Sequence, residues 1–106
     1  MTQMRNAVFV DGCRIPFLRA GTEYKQQTSY DLGRMAIKAL LDRSQLATDK
    51  INWVLMGSVI SNLATSNVAR EAALAAGVPQ SVPAATIALA CISSNKAVTN
   101  GVDLIR

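Results

Sequence analysis

The chain has two thiols, Cys13 and Cys91, and the residues around Cys91 are the ones best suited to chemistry. The stretch Ala88-Leu89-Ala90-Cys91-Ile92-Ser93-Ser94-Asn95 passes from an apolar, strand-like segment into a helical pattern. A cysteine at such a junction lies near the N–H groups that a helix start leaves unpaired and near the positive end of the helix dipole. Both favour the thiolate, the nucleophilic form. The small polar residues Ser93, Ser94 and Asn95 can cap the turn and leave room for a substrate. A space-filling role is the alternative, since free cysteine is among the most buried residue types. Cys13 closes an apolar run near Asp11-Gly12, and nothing beside it suggests activation.

Other chemistry finds less support. There is no histidine and no CxxC pair, which argues against a zinc site built from this chain alone. Gly12, Gly21 and Gly33 are too scattered to cradle a pyrophosphate. Glu23 and Asp31 suit solvation and helix capping better than paired acid–base work. Arg14, Arg19 and Lys25 fall in one polar loop, where a phosphorylated cofactor and plain solvation compete as explanations.

The elements that must position Cys91 follow from hydropathy. Half of the 106 residues are hydrophobic, 17% are charged and 5% are aromatic. A buried core is therefore expected, with close packing over small side chains, as in a parallel sheet. Ala7 to Val10 reads as a first buried strand, followed by a long loop from Cys13 to Ser29. Asp31 to Leu46 is the clearest helix, with Leu32, Met35, Ala36, Ala39 and Leu40 on one stripe and Ser29 as its cap. Trp53 to Ile60 reads as a second strand, interrupted in apolar character by Gly57 and Ser58. Ser66 or Asn67 caps a second helix that runs to about Ala76 and stops at Gly77 and Pro79. Ala84 to Ala90 reads as a third strand. Ile92 to Arg106 reads as a third helix, with Ala97, Val98, Gly101, Val102 and Ile105 on one face. This βαβαβα order predicts an α/β fold with a mostly parallel sheet, right-handed crossovers and flanking helices. The last helix ends on Leu104 and Ile105 with its apolar face uncovered, so residues 1–106 are read as an incomplete domain.

The net charge of +4 does not indicate nucleic acid. Arg34, Lys38 and Arg43 alternate with Asp31 and Asp42 on one helix, with no basic run and no aromatic platform. No apolar stretch reaches the roughly 18 to 20 residues of a membrane span. Met1 to Asn6 is polar, without a secretion core or transit-like composition. A cytoplasmic, bacterial-type location is the expectation.

Several short segments, in order, resemble the thiolase family. Val10-Asp11-Gly12-Cys13-Arg14-Ile15-Pro16-Phe17 is similar to the thiolase start, with Ile15 where Thr is usual. Asp31-Leu32, the strand with Gly57, Asn67 through Gly77 and Pro83-Ala84-Ala85-Thr86 follow the same pattern. Cys91-Ile92-Ser93-Ser94-Asn95, with Thr99-Asn100-Gly101 after it, looks most like the β-subunit thiolases of fatty-acid oxidation multienzyme complexes. In many thiolases the Cys is followed by Gly-Ser-Gly or Ser-Ser-Gly, which puts Gly where Ser94 stands.

The resemblance implies an amino-terminal portion of the thiolase N-terminal domain over residues 1–106. It implies that Cys91 is the acylated nucleophile, with its backbone N–H in an oxyanion hole. The reaction would be thiolytic cleavage of 3-ketoacyl-CoA, with coenzyme A as co-substrate and no covalently bound cofactor. A homodimer or tetramer is implied, with Thr86 to Ala90 pairing across a two-fold axis, and so is a hydratase/dehydrogenase α-subunit as partner. The family's histidine and second cysteine lie in motifs this chain lacks, so the piece alone is expected to be inactive. Alternatives are a biosynthetic acetoacetyl-CoA thiolase, another condensing enzyme such as a ketoacyl synthase, or a non-catalytic acyl-CoA-binding or assembly subunit.

Overall fold

Thr28 starts the first helix. Its Oγ1 accepts from the Asp31 N–H, while the Asp31 carboxylate accepts from the Thr28 N–H at 2.8 Å, a reciprocal capping box. The computed structural model, which describes residues 3–106, places this helix, α1, at Ser29–Ser44. It ends on Gln45 in the left-handed region, φ 56°. The cap is therefore Thr28 rather than Ser29, because only Thr28 faces the open N–H of the first turn. Met1 and Thr2, which open the polar stretch read for targeting, lie outside the described residues.

After a 3-10 turn at Thr48–Lys50 come strand β1 (Val54–Gly57), helix α2 (Val68–Ala75), strand β2 (Ala84–Ile87) and helix α3 (Ser93–Ile105). The two strands pair in parallel, Val54 opposite Ala84 through Gly57 opposite Ile87. Strand alternation then assigns the faces. Met56 reaches Gly33 of α1, and Val54 packs on Ala73, Val78 and Val82. Leu55 instead meets Gly101 of α3, and Gly57 lies under the first turn of that helix. Thus α1 and α2 cover one face and α3 covers the other.

Small residues make these layers close. Val68, Ala69, Ala72 and Ala73 are the buried side of α2, and Ala97 is buried on α3. Gly33 leaves α1 within reach of Ala72. The C-terminal stop of α2 is Gly77 at φ 102°, a conformation that glycine adopts without strain.

Residues 7–10 differ from the sequence reading. They form no strand, and Val8, Phe9 and Val10 are 74%, 88% and 89% exposed. A strand requires a partner for its backbone groups, and apolar character specifies burial without naming that partner. Here the segment is held toward α1, by Arg43 Nε donating to Asp11 at 3.1 Å and by the Cys13 thiol donating to Ala36 O at 3.5 Å. An open apolar groove of about 620 Å³ lies between it and Trp53 to Met56. The other strands are also shorter than the patterns suggest, Val54–Gly57 against Trp53 to Ile60 and Ala84–Ile87 against Ala84 to Ala90. Of the last helix's expected inner face, Ala97 is buried, while Val98 and Ile105 are exposed. Among the described residues, no helix is long and apolar enough to cross a membrane.

Candidate active site

Cys91 lies between the end of β2 at Ile87 and the start of α3 at Ser93, and it is exposed. This is the junction expected from the sequence, at the carboxyl end of a parallel pair, where α/β sheets gather their ligands. The turn is made by Ala90, whose φ of 46° puts an alanine in the left-handed region. That turn also ends the strand early, since its backbone no longer extends along β1.

The start of α3 differs from the other two helix starts. Thr28 caps α1 and Asn67 caps α2, the latter by accepting the Arg70 N–H at 3.2 Å. At α3 the cap position is Ile92, with no side-chain hydrogen bond. The Ile92 N–H donates to Leu89 O at 3.1 Å and the Ser93 N–H to Ala90 O at 3.2 Å. Among the described residues, no acceptor takes the Cys91 N–H. An amide left open beside an exposed thiol is a donor available to a developing oxyanion.

Ser93 is the one buried polar residue near the thiol, at 2% exposure. Its hydroxyl accepts from the Leu89 N–H at 2.8 Å and donates to Ala90 O at 2.7 Å. The hydroxyl therefore reaches back toward the strand instead of capping the helix, a direction the sequence reading missed. Gly57, which in the sequence pattern only interrupts an apolar run, has a structural role. A Cβ built on it would stand 2.5 Å from the Ser93 carbonyl carbon and 2.6 Å from Ser94 Cα, so β1 and α3 meet backbone to backbone. The available signal was a glycine inside a strand, which often marks such an approach.

Next to the junction, Asn67, Thr86 and Arg70 tie α2 to β2. Thr86 Oγ1 donates to Asn67 Oδ1 at 2.6 Å and accepts the Ala69 N–H at 3.0 Å. Asn67 Nδ2 donates to Ala84 O, and the Arg70 guanidinium donates to Val82 O and Gln80 O. A cavity of about 120 Å³ opens beyond the strand ends, lined by Ser58, Asn62, Thr65, Thr86 and Ala88 among others.

The remaining candidates stay apart from this place. Cys13 is exposed on the extended segment against α1. Asp31 belongs to the α1 cap, where the Thr28 N–H and hydroxyl hold its carboxyl below the usual range. Glu23 is also lowered, by the Thr22 hydroxyl and its own N–H, and lies in the loop. Arg14 stacks on Phe17, 4.4 Å from the ring centroid. Among the described residues, no group of three or more His, Cys, Asp or Glu side chains is placed to hold a metal ion.

The fold and this junction define a class: a parallel α/β domain carrying an exposed thiol on a tight turn at the ligand end of its sheet. The family model of the thiolase N-terminal domain matches residues 7–106, and the chain belongs to the thiolase family. It is 50% identical over 102 residues to the mitochondrial trifunctional enzyme subunit beta of Mus musculus, covering 96% of this chain and 22% of that one. It is 47% identical to a probable 3-ketoacyl-CoA thiolase of Caenorhabditis elegans, covering 96% of this chain and 23% of that protein. Among solved structures, the Acat5 thiolase of Ascaris suum in complex with coenzyme A superposes with a TM-score of 0.76 at 30% identity, over 80% of this chain and 22% of that one. The chain thus spans less than a quarter of the length of these relatives.

One expectation is overturned. The cytoplasmic, bacterial-type location does not stand, because the relatives at about 50% identity are named as mitochondrial subunits. A polar N-terminal stretch was a poor guide, since addresses are read by receptors and leave no mark on how a domain packs.

Proposed function

We propose that this chain is the amino-terminal, nucleophile-bearing portion of a 3-ketoacyl-CoA thiolase acting in fatty-acid oxidation. The observation that carries the reading is the exposed Cys91 just before α3, beside its own N–H, which has no acceptor among the described residues. Family membership and the 50% identity to a trifunctional enzyme beta subunit support the substrate class. The Cys91 thiolate attacks the 3-keto carbon of 3-ketoacyl-CoA, and the Cys91 N–H donates to the oxygen as it becomes an oxyanion. The C2–C3 bond then breaks, acetyl-CoA leaves after its carbanion takes a proton, and the shortened acyl group stays on sulfur as a thioester. The thiol of a second coenzyme A takes that acyl group and frees Cys91.

The proton carriers are not histidines of this chain, which has none. They belong to the part of the relatives' length that these residues do not span. Residues 1–106 serve as part of an N-terminal domain in a mitochondrial subunit. That subunit self-associates through the segment from Thr86 to Ala90 and joins a hydratase/dehydrogenase α-subunit.

Intact-mass measurement of the full-length protein after exposure to an acyl-CoA tests the central step. One acyl group on the peptide containing Cys91, absent in Cys91→Ser, is the expected result. An unmodified wild-type protein, or an adduct that survives the substitution, would remove the reading.

A further inference from the structure

We infer that Ser93 is a positioning residue for the Cys91 nucleophile, its hydroxyl clamping the left-handed Ala90 turn that presents the thiol. The inference rests on the reading of Cys91 given above. Among the described residues, two non-glycine residues have positive φ, Gln45 and Ala90. Gln45 follows the last turn of α1, where left-handed geometry is ordinary. Ala90 has no such excuse, and an alanine held there is disfavoured unless its surroundings enforce it.

Ser93 supplies the enforcement from both sides. Its Oγ takes the N–H of Leu89, before the turn, and gives its proton to the carbonyl of Ala90, the strained residue itself. The hydroxyl thus ties the peptide before Leu89 to the peptide after Ala90, and the plane between them is held by the Ile92 N–H donating to Leu89 O at 3.1 Å. An N-cap serine accepts from an N–H further into its helix. This one faces the other way, so helix capping does not explain it. Nor does solvation, at 2% exposure. The anchor is itself packed in place, because the Ser93 and Ser94 backbone rests on Gly57 of β1. The Ala90 carbonyl accepts both the Ser93 hydroxyl and the Ser93 N–H, and the Cys91 N–H of the same peptide has no acceptor among the described residues.

The test uses the full-length protein and single-turnover acylation by acetyl-CoA, with four forms: wild type, Ser93→Ala, Ala90→Gly and the double variant. Glycine adopts positive φ without help, so Ala90→Gly removes the need for the clamp. Ser93→Ala is expected to slow Cys91 acylation by about ten- to a hundredfold, with KM little changed. Ala90→Gly alone stays near wild type, and the double variant regains at least several-fold of the lost rate. A purely structural serine would lose thermal stability without this recovery. Wild-type rates in Ser93→Ala, or a loss that Ala90→Gly does not repair, would overturn the clamp while leaving Cys91 as nucleophile. Absence of acylation in the wild type would overturn that nucleophile reading instead. Should Ser93→Ala fail to fold, Ser93→Cys keeps the volume with a weaker donor, and the same recovery by Ala90→Gly is expected.

Discussion

At Gly57 a missing side chain lets the start of α3, just after Cys91, close onto β1. The Cβ of an alanine there would overlap the Ser93–Ser94 backbone, which cannot swing away as the end of a flexible side chain can. Gly57→Ala is expected to destabilise the protein by about 3 kcal/mol, the upper range for overpacking. It should also push the start of α3 off the sheet. Denaturant titration measures the first effect, and the rate of Cys91 alkylation by iodoacetamide in the folded protein measures the second. Unchanged stability and alkylation would mean that the close approach is not needed. Thr86 makes a similar point with a hydroxyl. It joins the Asn67 cap to the first turn of α2, so Thr86→Val leaves the Ala69 N–H without its acceptor. The expected cost is about 1–3 kcal/mol, read by thermal unfolding, and a variant as stable as wild type would contradict it.

At the scale of elements, α1 has the clearest chemistry of its own. Thr28→Ala removes one half of the capping box and should cost about 1 kcal/mol of stability. The other half is ionic, and its sign follows from the lowered Asp31 pKa. Hydrogen bonds from Thr28, with a smaller contribution from Arg34, favour the charged carboxylate in the folded state. Its stabilisation is therefore present above the unfolded-state value, about 3.9, and lost as pH falls through the lower folded value. Wild type and Asp31→Asn should differ in melting temperature at neutral pH and converge as the solution is acidified below that range. A difference that persists to the lowest pH would show that the carboxylate charge is not what the cap uses. The α2 helix depends less on charge and more on small volume. Its Ala69 and Ala72 are fully buried, which brings it close to the sheet and to α1.

Over the whole molecule, more surface is exposed than a folded monomer of this mass typically shows. Its accessible surface is 7907 Å² for 11.3 kDa, against about 5,700 Å² for a folded monomer of that mass. Its radius of gyration is 14.5 Å, against about 13 Å for this length. Phe9, Val10, Phe17, Ile60 and Leu63 stand in solvent, and the groove beside β1 is open. Residues 1–106 expressed alone should therefore bind a hydrophobic dye such as ANS strongly and show no thiolytic turnover of 3-ketoacyl-CoA. Turnover by this piece would contradict the assignment of the proton carriers to another part of the protein.

The sequence by itself determined the local and periodic features. It placed α1, α2 and α3 within a few residues, the parallel strand pair, and Cys91 at a strand-to-helix junction, because helical stripes and apolar runs are written in neighbouring residues. Caps were legible to within a residue, with Thr28 in place of Ser29, since hydroxyl and carboxamide side chains compete locally for the same N–H groups. Only the tertiary structure decided the rest. It denied residues 7–10 a strand, since pairing depends on which backbone lies alongside. It set the reach of Ser93 back to Leu89, the left-handed φ of Ala90 and the contact of Gly57 with α3. Each of these depends on distances between segments that hydropathy does not encode.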